Sequence, residues 1–286
     1  MAHLLLLLPS MSYRGEAFLE AANKVGVSLT IGGDAPPEFL KQALKSFIPL
    51  DLYNATTAVS AVVEFAKTSP IDVVLGVNDG TAVLASTVSQ ALGLSSNSID
   101  SVRAASNKQT MRSLLQQEGL TCPKFLVVGI DEKPENIIPK VTFPCVLKPL
   151  TLSGSCGVIR ADDPESFQNA FTRIVHLLQS FESPEQKVAD RQILIEDFIP
   201  GIEVALEGLL IKDTFHPLAL FDKPDPLNGP YFEETIYVTP SRLPPKTQTR
   251  ITESLGKAAR AIGLREGPVH GELRINDQDI WVIEVA

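Results

Sequence analysis

The sequence predicts an α/β domain built on a parallel sheet, followed by an α+β unit in two lobes. Three observations carry this reading. Up to about residue 105, short apolar runs alternate with segments of helical period, and beyond Pro123 strand-like runs dominate, interrupted by two long amphipathic helices. The length, 286 residues with 44% hydrophobic side chains, is enough for two cores. The expected domains are residues 1–105 and 106–286, the second with lobes of about 106–198 and 199–286.

"HLLLLL" at 3–8 reads as the first buried strand. It has no basic segment before it, and its five leucines before Pro9 are too few for a signal peptide. Strands at 27–31 and 71–77 and helices at 16–25, 55–67 and 82–92 complete the alternation, which places the strands parallel. A ligand would then lie at their carboxyl ends, beside the loops 9–15 and 76–80.

The next helix is expected to open at Ser106, with Gln109 three residues on as a capping box, and to close near Gly119. Its apolar stripe of Ala104, Met111 and Leu115 includes Lys108. A lysine on a buried face either has an anionic partner or snorkels to solvent. Strands "KFLVVGI", "FPCVLKP" and "CGVIR" follow, and then a helix from Asp163 with Pro164 in its first position and Phe167, Phe171, Ile174 and Leu178 on one face. Strands "QILIEDFI" and "IEVALEGLLI" lead to a proline-rich loop, "DKPDPLNGPYFEE". A helix over 249–262 and the strands "PVHGELRI" and "IWVIEVA" end the chain.

A net charge of −9 supplies no basic field, so nucleic acid is not an expected partner. No stretch reaches the roughly 18–20 apolar residues of a membrane span, so no membrane partner is expected either. Cys122, Cys145 and Cys156 are odd in number and match no metal-ligand spacing, which points to a reducing compartment, the cytoplasm. Neither a P-loop nor a dinucleotide fingerprint is present.

"KPLTLSGSCGV" is where chemistry enters. Ser153, Gly154, Ser155 and Gly157 can turn backbone N–H groups toward an anion, with Lys148 as a point charge. An ordinary Ser/Gly hairpin is the other reading. Glu272 shares a strand face with His270 and Arg274, while Glu284 interrupts an apolar strand. If the hairpin register pairs the two glutamates, they require a cation between them. A one-residue slip would separate them, and Glu272 would then pair with a basic neighbour such as Arg274. In "ILIEDFIPGIEVALEG", Glu196 and Glu203 flank a turn, either as acceptors for a ligand or, in the case of Glu203 and Glu207, as the wet face of a strand.

Taken in this order, a helix-borne lysine, a lysine before a Gly/Ser loop, a strand-turn-strand with two glutamates and a carboxylate hairpin resemble the ATP-grasp family over roughly residues 106–286. The first 105 resemble the Rossmann-like domain that precedes the grasp in its carboxylate–amine ligases. The resemblance implies that Lys108 and Lys148 bind ATP and that the Ser153–Gly157 loop covers its phosphates. It gives Glu196 the adenine amino group, the Asp197, Phe198 and Ile199 segment the ring edge, and Glu203 the ribose. Glu272 and Glu284 become magnesium ligands, with manganese an acceptable substitute. Lys223 would approach the transferred phosphate and Glu234 the substrate.

The implied activity is ATP-dependent amide formation through an acyl phosphate, from an amino acid or other small carboxylic acid. Expected partners are ATP, a small carboxylate and a small amine, with a homodimer allowed. Two departures are present. Ala286 stands where the family has an asparagine ligand, and the family's following arginine- and glycine-bearing segment is not in the sequence. They imply a C-terminally truncated grasp, and the alternative is an ATP-binding but catalytically incomplete fragment or regulatory module.

Overall fold

Leucines at successive positions can all be buried only where both faces of a strand are covered. In the computed structural model, which describes residues 1–35, 46–180 and 188–286, Leu5 and Leu7 enter one core and Leu6 and Leu8 another. Leu5, Leu6 and Leu7 belong to β1 (His3–Leu7) and Leu8 follows it; β1 is an inner strand of a parallel sheet ordered β3-β2-β1-β4, with β2 (Ser28–Gly33), β3 (Phe47–Pro49) and β4 (Val73–Gly76). Helix α1 (Gly15–Val25) packs Ala22 on one face, and α2 (Ala55–Ala66) and α3 (Asp79–Ala91) pack Val62 and Val88 on the other. At the carboxyl ends of β1 and β4, Arg14 donates to the Val77 carbonyl at 2.7 Å and ties the two predicted loops together. Helix α3 starts three residues before its predicted position, because Asn78 and Thr81 form a reciprocal cap. Two compact units, Met1–Arg103 and Ala104–Ala286, make up the chain, and α4 (Ile99–Ala105) spans their junction.

In the second unit, α5 (Lys108–Gln117) is capped by Asn107, whose side chain accepts from the Thr110 N–H at 3.0 Å. The cap is therefore one residue after the expected Ser106. An antiparallel sheet ordered β5-β8-β6-β7 follows, from β5 (Phe125–Gly129), β6 (Cys145–Pro149), β7 (Ile159–Ala161) and β8 (Gln192–Asp197). The short α6 (Pro134–Ile137) joins β5 toward β6, and α7 (Pro164–Ser180) lays Phe167, Phe171, Ile174 and Leu178 against the sheet.

A second antiparallel sheet, ordered β10-β9-β11-β12, consists of β9 (Ile202–Ile211), β10 (Thr214–Lys223), β11 (Gly267–Ile275) and β12 (Ile280–Val285). Met111 and Leu115 of α5, with Ile251, Leu255 and Ala258 of α8 (Pro245–Ala261), cover one face of it. Helix α8 begins four residues before the predicted start, with proline in its first turn. Strand β10 was not anticipated from the sequence. It is an edge strand with a proline and an irregularity between Pro217 and Ala219, so it shows neither clean alternation nor a continuous apolar run.

One ion network joins these layers. Arg112 of α5 is fully buried and donates to Glu196 of β8 through Nε at 3.0 Å and to the Ile283 carbonyl of β12 at 2.6 Å. Lys148 of β6 lies 2.5 Å from the other Glu196 oxygen. Burial alone would raise the Glu196 carboxyl, but Arg112 and Lys148 outweigh it and hold the group below its ordinary value of 4.5.

Three outcomes are expected. Arg112→Met leaves a buried carboxylate with one cation and should lower stability by about 3–5 kcal/mol in urea unfolding. The wild type should lose the corresponding stability as pH falls below 4.5, whereas Glu196→Gln should flatten that acid limb. At the turn from β8 to β9, Gly201 has φ +124° and a Cβ there would lie 2.1 Å from the Ile275 carbonyl oxygen. Gly201→Ala should therefore cost about 2–4 kcal/mol in the same measurement.

Candidate active site

The two antiparallel sheets share a cavity lined by Lys108, Lys148, the loop 152–155, the segment Glu196–Ile199, Glu203, Phe232, Glu234, Glu272, Arg274 and Glu284. All the predicted site residues line it except Gly157 and Lys223. Gly157, with φ +75°, packs against α7, where a Cβ would come within 2.8 Å of Leu177. Gly157, expected over a phosphate, thus stands where the loop turns back onto the helix. Gly154 and Ser155 have φ of 63° and 54°, and the N–H groups of Cys156 and Val158 close turns onto the carbonyls of Ser153 and Ser155. The segment is a tight turn, and its residues 152–155 line the cavity. Cys156 is exposed on this loop.

Lys108 does not snorkel. It is buried, and Nζ donates to the Leu152 carbonyl at 2.6 Å, at the base of the loop. Burial lowers its ammonium pKa and the charge of Glu284 acts against that, while Lys148 and Arg112 lower it further. Its face of α5 also carries Arg112, which the sequence reading did not single out. A second cation four residues along an apolar stripe was the available signal. Glu196, expected to accept from adenine, lines the cavity with its oxygens on Arg112 and Lys148, and so fixes these two cations.

Asp197 and Phe198 direct their N–H groups to the carbonyls of Lys124 and Pro144, at 3.0 and 3.1 Å. The Phe198 ring has two guanidinium groups near it, its centroid 4.1 Å from that of Arg160 and 5.1 Å from that of Arg274. Ile199 is buried at the cavity wall.

The carboxylates gather on the second sheet. Register places Glu272 opposite Glu284, so the two face each other as the hairpin reading required. The same register sets Arg274 opposite Glu203 and His270 opposite Glu207. Glu203 is therefore buried beside Arg274, at 3.4 Å, rather than on the wet face. Lys223 reaches Glu203 at 2.9 Å and Glu272 at 2.8 Å and also binds Glu234, which the Tyr237 hydroxyl contacts in turn. Lys223, expected to approach a phosphate, thus has its ammonium among three carboxylates that themselves line the cavity.

Burial pushes the Glu272 carboxyl up, but the His270 hydrogen bond and the Lys223 ammonium hold it at about 2. His270 is raised to about 10 by its hydrogen bonds to Glu207 and Glu272, against burial. Burial works against the Lys223 ammonium, yet the charges of Glu272 and Glu203 raise its pKa. Glu203 itself is pushed up by burial and by Glu272. Carboxylate oxygens from Glu272 and Glu284 form a donor set suited to a hard divalent cation such as magnesium. Lys108 and Lys148 line the same cavity, so that cations and carboxylates together can hold a polyphosphate with its metal.

A family model described as an ATP-grasp domain matches residues 141–286. Among curated proteins, the chain is 26% identical over 208 residues to alanine–anticapsin ligase of Bacillus subtilis (strain 168), covering 68% of this chain and 43% of the relative. It is 24% identical over 282 residues to carnosine synthase 1 of Mus musculus, covering 93% of this chain and 34% of the relative. The chain thus spans about half the length, or less, of these relatives. An L-amino acid ligase from Bacillus licheniformis superposes over 100% of this chain and 66% of its own, with TM-score 0.81 and 26% identity. N5-carboxyaminoimidazole ribonucleotide synthetase from Thermotoga maritima shares the fold at TM-score 0.72 and 15% identity, over 100% of this chain and 68% of its own. The family match covers half of the chain, and it falls on the sheets that build the cavity: the chain belongs to the ATP-grasp family.

Proposed function

We propose that the cavity binds ATP with magnesium, and that the chain is the nucleotide-binding part of a ligase that joins a small carboxylic acid, such as an amino acid, to an amine. The observation that carries this reading is that the paired Glu272 and Glu284 line the same cavity as Lys108 and Lys148. In the reaction, a substrate carboxylate oxygen attacks the γ-phosphorus and the bond to the β-phosphate oxygen breaks, giving acyl phosphate and ADP. The amine then attacks the acyl carbon, phosphate leaves, and the nitrogen loses a proton to yield the amide. No side-chain nucleophile is needed, so the protein contributes position and charge.

Lys108 and Lys148 hold the phosphates, the Ser153–Ser155 turn closes over them, and Ile199 with Phe198 forms the wall for the base. Glu203 reaches toward the ribose and Glu234 toward the substrate. Magnesium, held by Glu272 and Glu284, would screen the phosphate charge during transfer. We assign residues 1–105 to the Rossmann-like domain that precedes the grasp. A nucleotide-binding module without catalysis is the second reading, favoured by Ala286, which offers only backbone groups, both paired with His270.

Calorimetric titration with a non-hydrolysable ATP analogue separates these readings from none at all. Lys148→Ala, checked for fold by circular dichroism, should weaken binding at least about tenfold, or about 1.4 kcal/mol. Equal affinity in variant and wild type would remove the phosphate role of the loop. Glu272→Gln with Glu284→Gln should abolish the gain in affinity on adding magnesium, and an unchanged gain would move the metal elsewhere. Phosphate release with carboxylate–amine pairs then distinguishes the ligase from the inert module.

A further inference from the structure

Glu203 and Arg274 stand opposite each other on neighbouring strands, and both line the cavity. The two oxygens of Glu203 are held differently. Lys223 donates to Oε1 at 2.9 Å, whereas Oε2 lies 3.4 Å from Arg274 Nη1 and accepts no hydrogen bond among the described residues. Oε2 is therefore placed by charge alone, with its lone pairs still available. Arg274 is itself immobilised. It is 3% exposed, Nη1 donates to the Leu227 carbonyl and Nη2 to that of Gly201, each at 2.9 Å, and the Phe198 ring centroid lies 5.1 Å from its guanidinium carbon. Its Nε is buried without a hydrogen-bond partner among the described residues. A residue that only fastened the proline-rich loop would gain nothing from burying that donor unpaired, which is a destabilising arrangement. What the position does secure is a fixed positive charge next to one oxygen of Glu203.

We propose that Arg274 is a positioning residue for sugar recognition: it holds the free Glu203 oxygen in the orientation that accepts a ribose hydroxyl, and so lets the cavity distinguish a ribonucleotide from a deoxyribonucleotide. The inference deepens the nucleotide reading and rests on it for its ligand. An ionised carboxylate accepts and never donates, so it selects a group that carries a proton, and the two hydroxyls are the donors that a nucleotide sugar offers. A carboxylate free to swing could take water in place of a missing hydroxyl. One held by Lys223 on one oxygen and by Arg274 beside the other cannot follow, so a deoxy sugar leaves its acceptor unpaired. That is how a site built to hydrogen-bond a hydroxyl rejects the analogue lacking it.

The test is calorimetric titration of the wild type, Arg274→Gln and Arg274→Lys with the non-hydrolysable ATP analogue and with its 2′-deoxy and 3′-deoxy forms, magnesium being present throughout. The wild type should bind the ribose form at least about tenfold more tightly than one of the deoxy forms. Arg274→Gln removes the charge, and Arg274→Lys keeps it on a flexible stem without the fork that spans the two carbonyls. Each should lower that preference to below about threefold. A purely structural arginine would weaken the binding of every form alike, so a wild-type preference in a variant with wild-type circular dichroism would overturn the proposal. Arg274→Lys retains a cation beside Glu203 and serves where Arg274→Gln does not fold. Failure of the wild type to bind any of the forms would remove the ligase reading together with this one. Binding of all of them with equal affinity would overturn the role of Arg274 and leave the ligase reading standing.

Discussion

The buried contact among Arg112, Glu196 and Lys148 is the interaction on which the rest of the second unit depends. It joins a helix that covers one sheet to two strands of the other, and Arg112 also reaches the last strand through the Ile283 carbonyl. None of the three charges could be buried alone, since an unpaired ion in this environment costs several kcal/mol. Together they fix the spacing of the two sheets, and the cavity lies in that spacing. Lys148 therefore has a structural partner behind it and an open face before it.

The carboxylate side is organised on the same principle with the signs reversed. Here acidic groups outnumber cations, and Lys223, Arg274 and His270 divide the work of holding them. Lys223 gathers Glu203, Glu234 and Glu272, Arg274 supports Glu203 from the neighbouring strand, and His270 links Glu207 to Glu272. Each carboxylate so held is pinned in orientation before any ligand arrives, which is the form of preorganisation that charge-stabilising sites require. The result is a cavity lined by both cations and oriented anions, in a chain whose net charge of −9 would by itself repel ATP.

The two arginines next to Phe198 connect the two networks. Arg160 comes from β7 and Arg274 from β11, so one aromatic ring receives a guanidinium from each sheet. Both arginines also donate to carbonyls of the proline-rich loop, Arg160 to Asn228 and Arg274 to Leu227. The loop that carries Phe232 and Glu234 is thus fastened at its base from both sheets, and only its far part faces the cavity.

Local pattern determined much of this protein by sequence alone. The unbroken leucine run of β1, the alternation of strand and helix before residue 105, the stripe of α7 and the facing glutamates of the last hairpin were all legible, because each depends on the period of one or two neighbouring elements. Edge strand β10 was not, since an irregular, half-exposed strand has no period to read. Nor were the partners of the charged groups. Arg112 and Glu196 stand 84 positions apart and Lys223 and Glu272 stand 49 apart, and a sequence does not state which buried anion a distant cation will meet. Only the tertiary structure decided that Glu196 answers Arg112 and Lys148, that Lys223 sits among three carboxylates, and that Gly157 packs on a helix, because burial forces each charge to find its opposite wherever the packed sheets bring one within reach.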